Sequence, residues 1–156
     1  MGTMTLAEIE ANPIPVIEAH RDANPWLHWG GIGSSYDVDR IGPDAFAKRR
    51  QDMTSEYGVA QVLRAARFIN QAPRTRTLNK RRSTYGWKHV AERHFQNLAH
   101  SRDYYIGEGS FLVAAWAMGL LVKADHDGTH WVNIAEAAAT AAQAEVKRLR
   151  EAGVPA

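Results

Sequence analysis

The chain has 156 residues, 45% hydrophobic and 23% charged, with a formal charge of +2 and no cysteine. Such a length suits one domain able to bury roughly two-thirds of its unfolded surface, and the composition argues against wholesale disorder. The absence of cysteine excludes disulfides, thiolate metal sites and a cysteine nucleophile. The longest apolar run, Phe111 to Val122, falls short of the ~20 residues a membrane helix needs.

The start, MGTMTLAEIE, carries acids where a secretory signal needs bases, so the expected compartment is the cytoplasm. Thr5 and Glu8 have capping-box spacing and predict a short helix from Leu6 that stops before Pro13. Residues 12–43 are punctuated by Pro13, Pro15, Pro25, Gly30, Gly31, Gly33, Gly42 and Pro43. They read as a mostly irregular arm with one helical turn around Val16 to Arg21. The arm and first helix form one expected unit, 1–43, and a helical core domain the other, 44–156.

In that core, helices are expected from Pro43–Asp44 towards Met53 and from Val59 to Gln71. In the second, Val59, Val62, Leu63, Ala66 and Ile69 line a stripe, with Arg64, Arg67 and Gln71 on another face. PRTRTLNKRRS, residues 73–83, reads as a loop. Ser83 or Thr84 then caps a helix to about Leu98, with Trp87, Val90, Ala91, His94, Phe95 and Leu98 inward and Lys88, His89, Glu92 and Gln96 outward. Tyr104 to Ile106 reads as extended. Gly107, Gly109 and Ser110 introduce an apolar, hence central, helix, SFLVAAWAMGL. A β-hairpin follows over 121–132, turning at Asp125 to Gly128. Asn133 and Glu136 have capping spacing before an alanine-rich last helix ending in Lys147, Arg148 and Arg150. The fold expected is mainly α, with a small β-hairpin in helix–turn–helix–wing order.

The bland net charge conceals a division. Residues 1–56 carry net −4 and residues 94–156 net −2. Between them, residues 64–93 carry nine bases against Glu92 alone, net +8. Polyanions are the natural partners of such a segment. Thr75, Thr77, Asn79, Ser83 and Thr84 interleave with its cations and can donate to phosphate oxygens, while Tyr85 and Trp87 could stack on bases or anchor the core. The alternatives are a solvated loop, or one neutralised by the acidic flanks.

Other chemistry is weaker. His89, Glu92 and His94 give H-x-x-E-x-H, whose two histidines diverge by ~140° around a helix, so no metal site is expected there. Asp125, His126, Asp127 and His130 crowd a turn where Asp is favoured for backbone reasons. Gly30-Gly31-Ile32-Gly33 lacks a phosphate-loop lysine. Gly107-Glu108-Gly109 has Leu112 where a dinucleotide fingerprint needs glycine, and reads as a tight turn. No cofactor and no catalytic residue is expected.

STYGWKHVAE (Ser83 to Glu92), YIGEGSFLVAAWAMGL (Tyr105 to Leu120) and the closing VNI (Val132 to Ile134) carry a resemblance. This stretch resembles short uncharacterised proteins of bacteriophages and mobile elements. In these, a Tyr-x-x-Lys-His helix precedes a Tyr-Ile-x-x-Gly turn and an alanine-rich helix. The chain departs from the pattern at Glu108, where Asn is expected. The resemblance implies action on nucleic acid or on a host defence or regulatory protein.

The first expectation is a non-enzymatic DNA- or RNA-binding protein. Arg74, Arg76, Lys80, Arg81, Arg82 and Lys88 would contact phosphates, Arg64 and Arg67 would flank them, and Asn79 and His89 would read bases. Five or six neutralised phosphates give a log–log salt slope of about −5. The alternative is a protein-interaction module that inhibits or regulates an acidic host protein, through the same basic loop or through Trp26 and Trp29 of WLHWGG. The alanine-rich last helix is also suited to packing against a second copy, as a homodimer.

Overall fold

The computed structural model describes residues 2–98 and 104–153. The chain is mainly helical, with two small sheets. No helix among the described residues is long and apolar enough to cross a membrane.

The first helix, α1 (Leu6–Ala11), has its capping box in full. The Thr5 hydroxyl accepts from Glu8 N, and a Glu8 carboxylate oxygen accepts from Thr5 N. The expected irregular arm is instead largely ordered into elements. Pro13 opens α2 (Pro13–Ala23), β1 (Leu27–His28) pairs antiparallel with β2 (Gly31–Ile32), and α3 (Ser35–Ile41) has its own Ser34–Asp37 capping box. Pro13 and Pro43 occupy the first turns of helices, where a missing N–H costs nothing. At Pro13 and Pro43 the punctuation therefore marks helix starts, whereas Pro25, Gly30, Gly31 and Gly33 fall in or beside the β1–β2 hairpin.

Pro43 opens α4 (Pro43–Gln51), followed by a 3₁₀ turn at Asp52–Thr54 and α5 (Glu56–Gln71), capped by the Ser55 hydroxyl. Arg50 of α4 ties these parts together. Its guanidinium donates to the carbonyls of Arg21, Asn24 and Leu27, closing the C-terminal end of α2. Ile9, Val16, Ile17 and Leu27 share one hydrophobic core with the residues of the later helices.

The segment expected as a loop at 73–83 is the strand β3 (Arg74–Ser83). It is followed by α6 (Thr84–Leu98), α7 (Glu108–Ala117), β4 (Val122–Ala124), β5 (His130–Ile134) and α8 (Ala137–Glu151). Residues 104–106, expected as extended, form a turn and an irregular link. The hairpin β4–β5 is thus two strands of an antiparallel sheet in the order β3-β5-β4. Asn133 caps nothing. It lies in β5, where its Oδ1 accepts from Leu121 N and its Nδ2 donates to Thr75 O, tying β5 to β3 and to the residue before β4.

Helix α7 is central: Gly109 to Ala115 and Ala117 are buried, with α2, α5, α6 and the β1–β2 hairpin around it. The expected helix–turn–helix–wing arrangement is not confirmed: β4 and β5 belong to a three-stranded sheet with β3, and α7 offers no polar face to a DNA groove.

The hairpin meets the start of α7 through backbone. Gly109 N donates to Trp29 O at 3.1 Å. A Cβ at Gly109 would fall 1.7 Å from His28 O, and one at Gly107 would fall 1.9 Å from Trp29 O. Backbone carbonyls cannot yield as a flexible side chain can. Gly109→Ala is therefore expected to cost about 3 kcal/mol in urea denaturation, the upper end of overpacking penalties. An unaltered midpoint would show that the hairpin does not need this approach.

Candidate nucleic-acid interface

β3 is an edge strand with an irregular register. Arg74 pairs with Ile134, Asn79 with Val132 and Ser83 with Trp131, so ten residues of β3 oppose four of β5. The surplus is taken up in bulges, which break the two-residue alternation and turn successive side chains outward. Arg74, Arg76, Thr77, Lys80 and Arg81 are exposed.

The nine cations of 64–93 do not form one surface. Arg76 and Arg81 make no side-chain hydrogen bond or ion pair among the described residues. Arg74 remains exposed while donating to Met118 O near the end of α7, where a cation suits the helix dipole. Lys80 pairs with Asp125 at 3.0 Å and lies 5.8 Å from the Trp131 ring. Arg82 pairs with Glu136 at 3.2 Å and covers the buried Trp87 ring at 5.1 Å. Arg67, on α5, pairs with Glu10 at 2.9 Å.

Two cations expected outside are inside. Arg64 is buried and donates to Tyr105 O at 2.7 Å. Lys88 is only 5% exposed: its ammonium meets Glu92 at 3.1 Å, between the Tyr85 and Tyr105 rings. Glu92 also accepts from Ile106 N at 3.1 Å. The 104–107 link covers this face of α6, so a side predicted to meet solvent meets protein.

Of the expected base readers, Asn79 is committed to the sheet. Its amide donates to Ile134 O and to Glu136, and its Oδ1 accepts from Arg81 N. His89 is half exposed, with Nδ1 2.8 Å from Glu92 and its ring edge-on to Tyr85 at 4.6 Å. Tyr85 is exposed beside the end of β3, whereas Trp87 belongs to the core. Ser83 caps α6 by accepting from Gly86 N.

Acidic groups set the limits of the basic edge. Hydrogen bonds from Lys80 and then Trp131 hold the Asp125 carboxyl below its usual range. For Glu136, burial works upward, but the bonds from Arg82 and Asn79 and the charge of Arg81 prevail and lower it. Both stay ionised and mark where a polyanion is repelled.

Trp26 and Trp29 do not form one patch. Trp26 is exposed, edge-on to Phe46, beside a shallow cavity of about 530 Å³. Trp29 lines a different cavity with Tyr57 and Tyr105. Among the described residues, no three His, Asp or Glu side chains are gathered as metal ligands.

Three histidines make a pH prediction. Burial holds His20, His28 and His94 below the usual 6.5; Arg49 adds to this at His28, and Glu145 opposes it at His94. The unfolded chain therefore binds more protons than the folded one as pH falls through 6.5, and stability is lost from there downward. Carboxyls with lowered values, Glu8, Asp125, Glu136 and Glu145, add a second loss below their ordinary 3.8–4.5. Melting temperature should fall in two stages, first below pH 6.5 and then below about pH 4.5. A midpoint unchanged between pH 7.5 and 5.5 would contradict the first stage.

Searches of family models, curated proteins and solved structures found no match to this chain.

Proposed function

We propose that this chain is a non-catalytic, cytoplasmic protein that binds nucleic acid, DNA or RNA, by seating phosphates along β3. The observation that carries the reading is the pair Arg76 and Arg81, exposed on a bulged edge strand without ion pairs among the described residues. Arg74 and Lys80 flank them, Thr77 supplies an exposed hydroxyl while that of Thr75 donates to Thr77 O, and Tyr85 and His89 supply ring surfaces at the far end. Cations interleaved with hydroxyls and followed by an aromatic suit a phosphate backbone with adjacent bases. The resemblance to bacteriophage and mobile-element proteins supports the same reading.

The reading uses four outward cations, fewer than the sequence suggests, and so changes the expected salt dependence. Gel shifts with single- and double-stranded DNA and with RNA should give a log–log slope of about −3 to −4. No shift of any of them at low salt would reject the reading.

The alternative, inhibition or regulation of an acidic host protein, is favoured by one observation, the exposed Trp26 ring beside its cavity. A pull-down that loses its partner on Trp26→Ala would support it.

A further inference from the structure

We propose that the cavity bounded by Trp29, Tyr57, Tyr105, Asp52, Ser55 and Gln61 binds one planar heteroaromatic ring of nucleobase chemistry. Its volume, about 490 Å³, is within the range of small-molecule sites. Three aromatic side chains reach it from separate parts of the chain: the β1–β2 turn, the first turn of α5 and the link before α7. Trp29 and Tyr105 stand edge to face, 6.2 Å apart at 72°. Tyr57, 54% exposed, forms the outer wall.

The polar groups give the site its direction. Gln61 is 2% exposed, and its Oε1 accepts from Gly107 N at 2.7 Å and from Ser110 Oγ at 3.2 Å. Those two donors decide which way the amide lies. Its Nε2 is left with no acceptor among the described residues, on a side chain that lines the cavity. That donor is open to water in the cavity, and a ligand acceptor can take the water's place. Asp52 uses Oδ1 for Lys48, which leaves Oδ2 without a partner among the described residues. An amide donor and a carboxylate acceptor lining one aromatic-walled cavity suit a ring whose edge carries both an acceptor and a donor. Every nucleobase has such an edge.

An aromatic cage with a carboxylate could also hold an organic cation. The far surroundings argue against it. Arg49 already lies 6.0 Å from the Trp29 ring centre, and the Lys88 ammonium 4.8 Å from that of Tyr105. A further cation would meet Trp29 and Tyr105 rings that each already have one beside them. A neutral ring meets neither obstacle.

This inference uses none of the β3 cations and holds whether or not β3 carries phosphates. Its test is calorimetric titration of the full chain with adenosine, guanosine, cytidine and uridine, which carry no phosphate. Saturable binding of at least one is expected. Tyr57→Ala removes an exposed wall and should weaken it about fivefold or more, the usual worth of one stacking contact. Gln61→Glu keeps the acceptor for Gly107 and Ser110 but replaces the donor, and should weaken it as well. If that variant does not fold, Tyr57→Ala decides. No nucleoside binding, or binding indifferent to Tyr57→Ala, overturns the proposal. Displacement of the nucleoside by tetramethylammonium overturns it in favour of a cation cage.

Discussion

Arg76→Glu with Arg81→Glu is expected to abolish nucleic-acid binding at physiological salt while leaving the fold intact. Each phosphate contact is worth nearly a decade of affinity at 0.1 M salt through counterion release, so losing two weakens binding by about 100-fold before any repulsion is added. The log–log salt slope should shrink by about 2. Stability should change by no more than about 0.5 kcal/mol, because both side chains are exposed and make no hydrogen bond or ion pair among the described residues. Arg82 would be a poor choice for this experiment. Its guanidinium bonds Glu136 and lies over Trp87, so its reversal would damage the packing between β3 and α6 and confuse unfolding with lost binding. A double variant that binds as tightly as the parent would place the interface elsewhere.

The second large effect lies at the buried pair of α6. Glu92→Ala should destabilise the protein by about 3–5 kcal/mol, since it leaves the Lys88 ammonium buried without its partner. It also strips the acceptor from Ile106 N and from His89. For a domain of this size, each kcal/mol moves the melting temperature by about 2–4 °C, so a fall of about 6–20 °C is expected. Lys88→Met should be comparably harmful, because it leaves the Glu92 carboxyl, at 8% exposure, without its lysine partner. Lys88→Met combined with Glu92→Gln removes both charges and retains an acceptor for Ile106, and should recover much of the loss. Strict additivity of Lys88→Met and Glu92→Gln in their double variant, measured by urea denaturation, would mean that the pair is not coupled.

These two predictions divide one run of sequence into opposite roles. By composition, Arg76, Arg81, Lys88 and Arg64 are alike: basic residues of a +8 segment. Periodicity placed Lys88 opposite Trp87 and Val90 and so predicted exposure. That inference holds for a helix with one buried side. α6 is covered on a second side by Tyr105 and Ile106, and a long cation can be buried there because Glu92 follows one turn later. Likewise Arg64 had an uncovered face by pattern alone, and the same link supplies the carbonyl that holds it. The cavity beside Trp29 was illegible for a related reason: its walls come from residues 29, 52–61 and 105.

The sequence by itself determined what depends on near neighbours. The Thr5–Glu8 box, the stripe of α5, the start of α6, the apolar α7 and the β4–β5 turn are all written in contacts a few residues apart. Only the tertiary structure decided the rest. β3 is a strand because β5 lies beside it, some 55 residues on, and its bulges erase the alternation that would announce it. Tertiary packing also decided which cations of the basic segment face water, because a charge is retained inside only where a distant chain segment brings its partner.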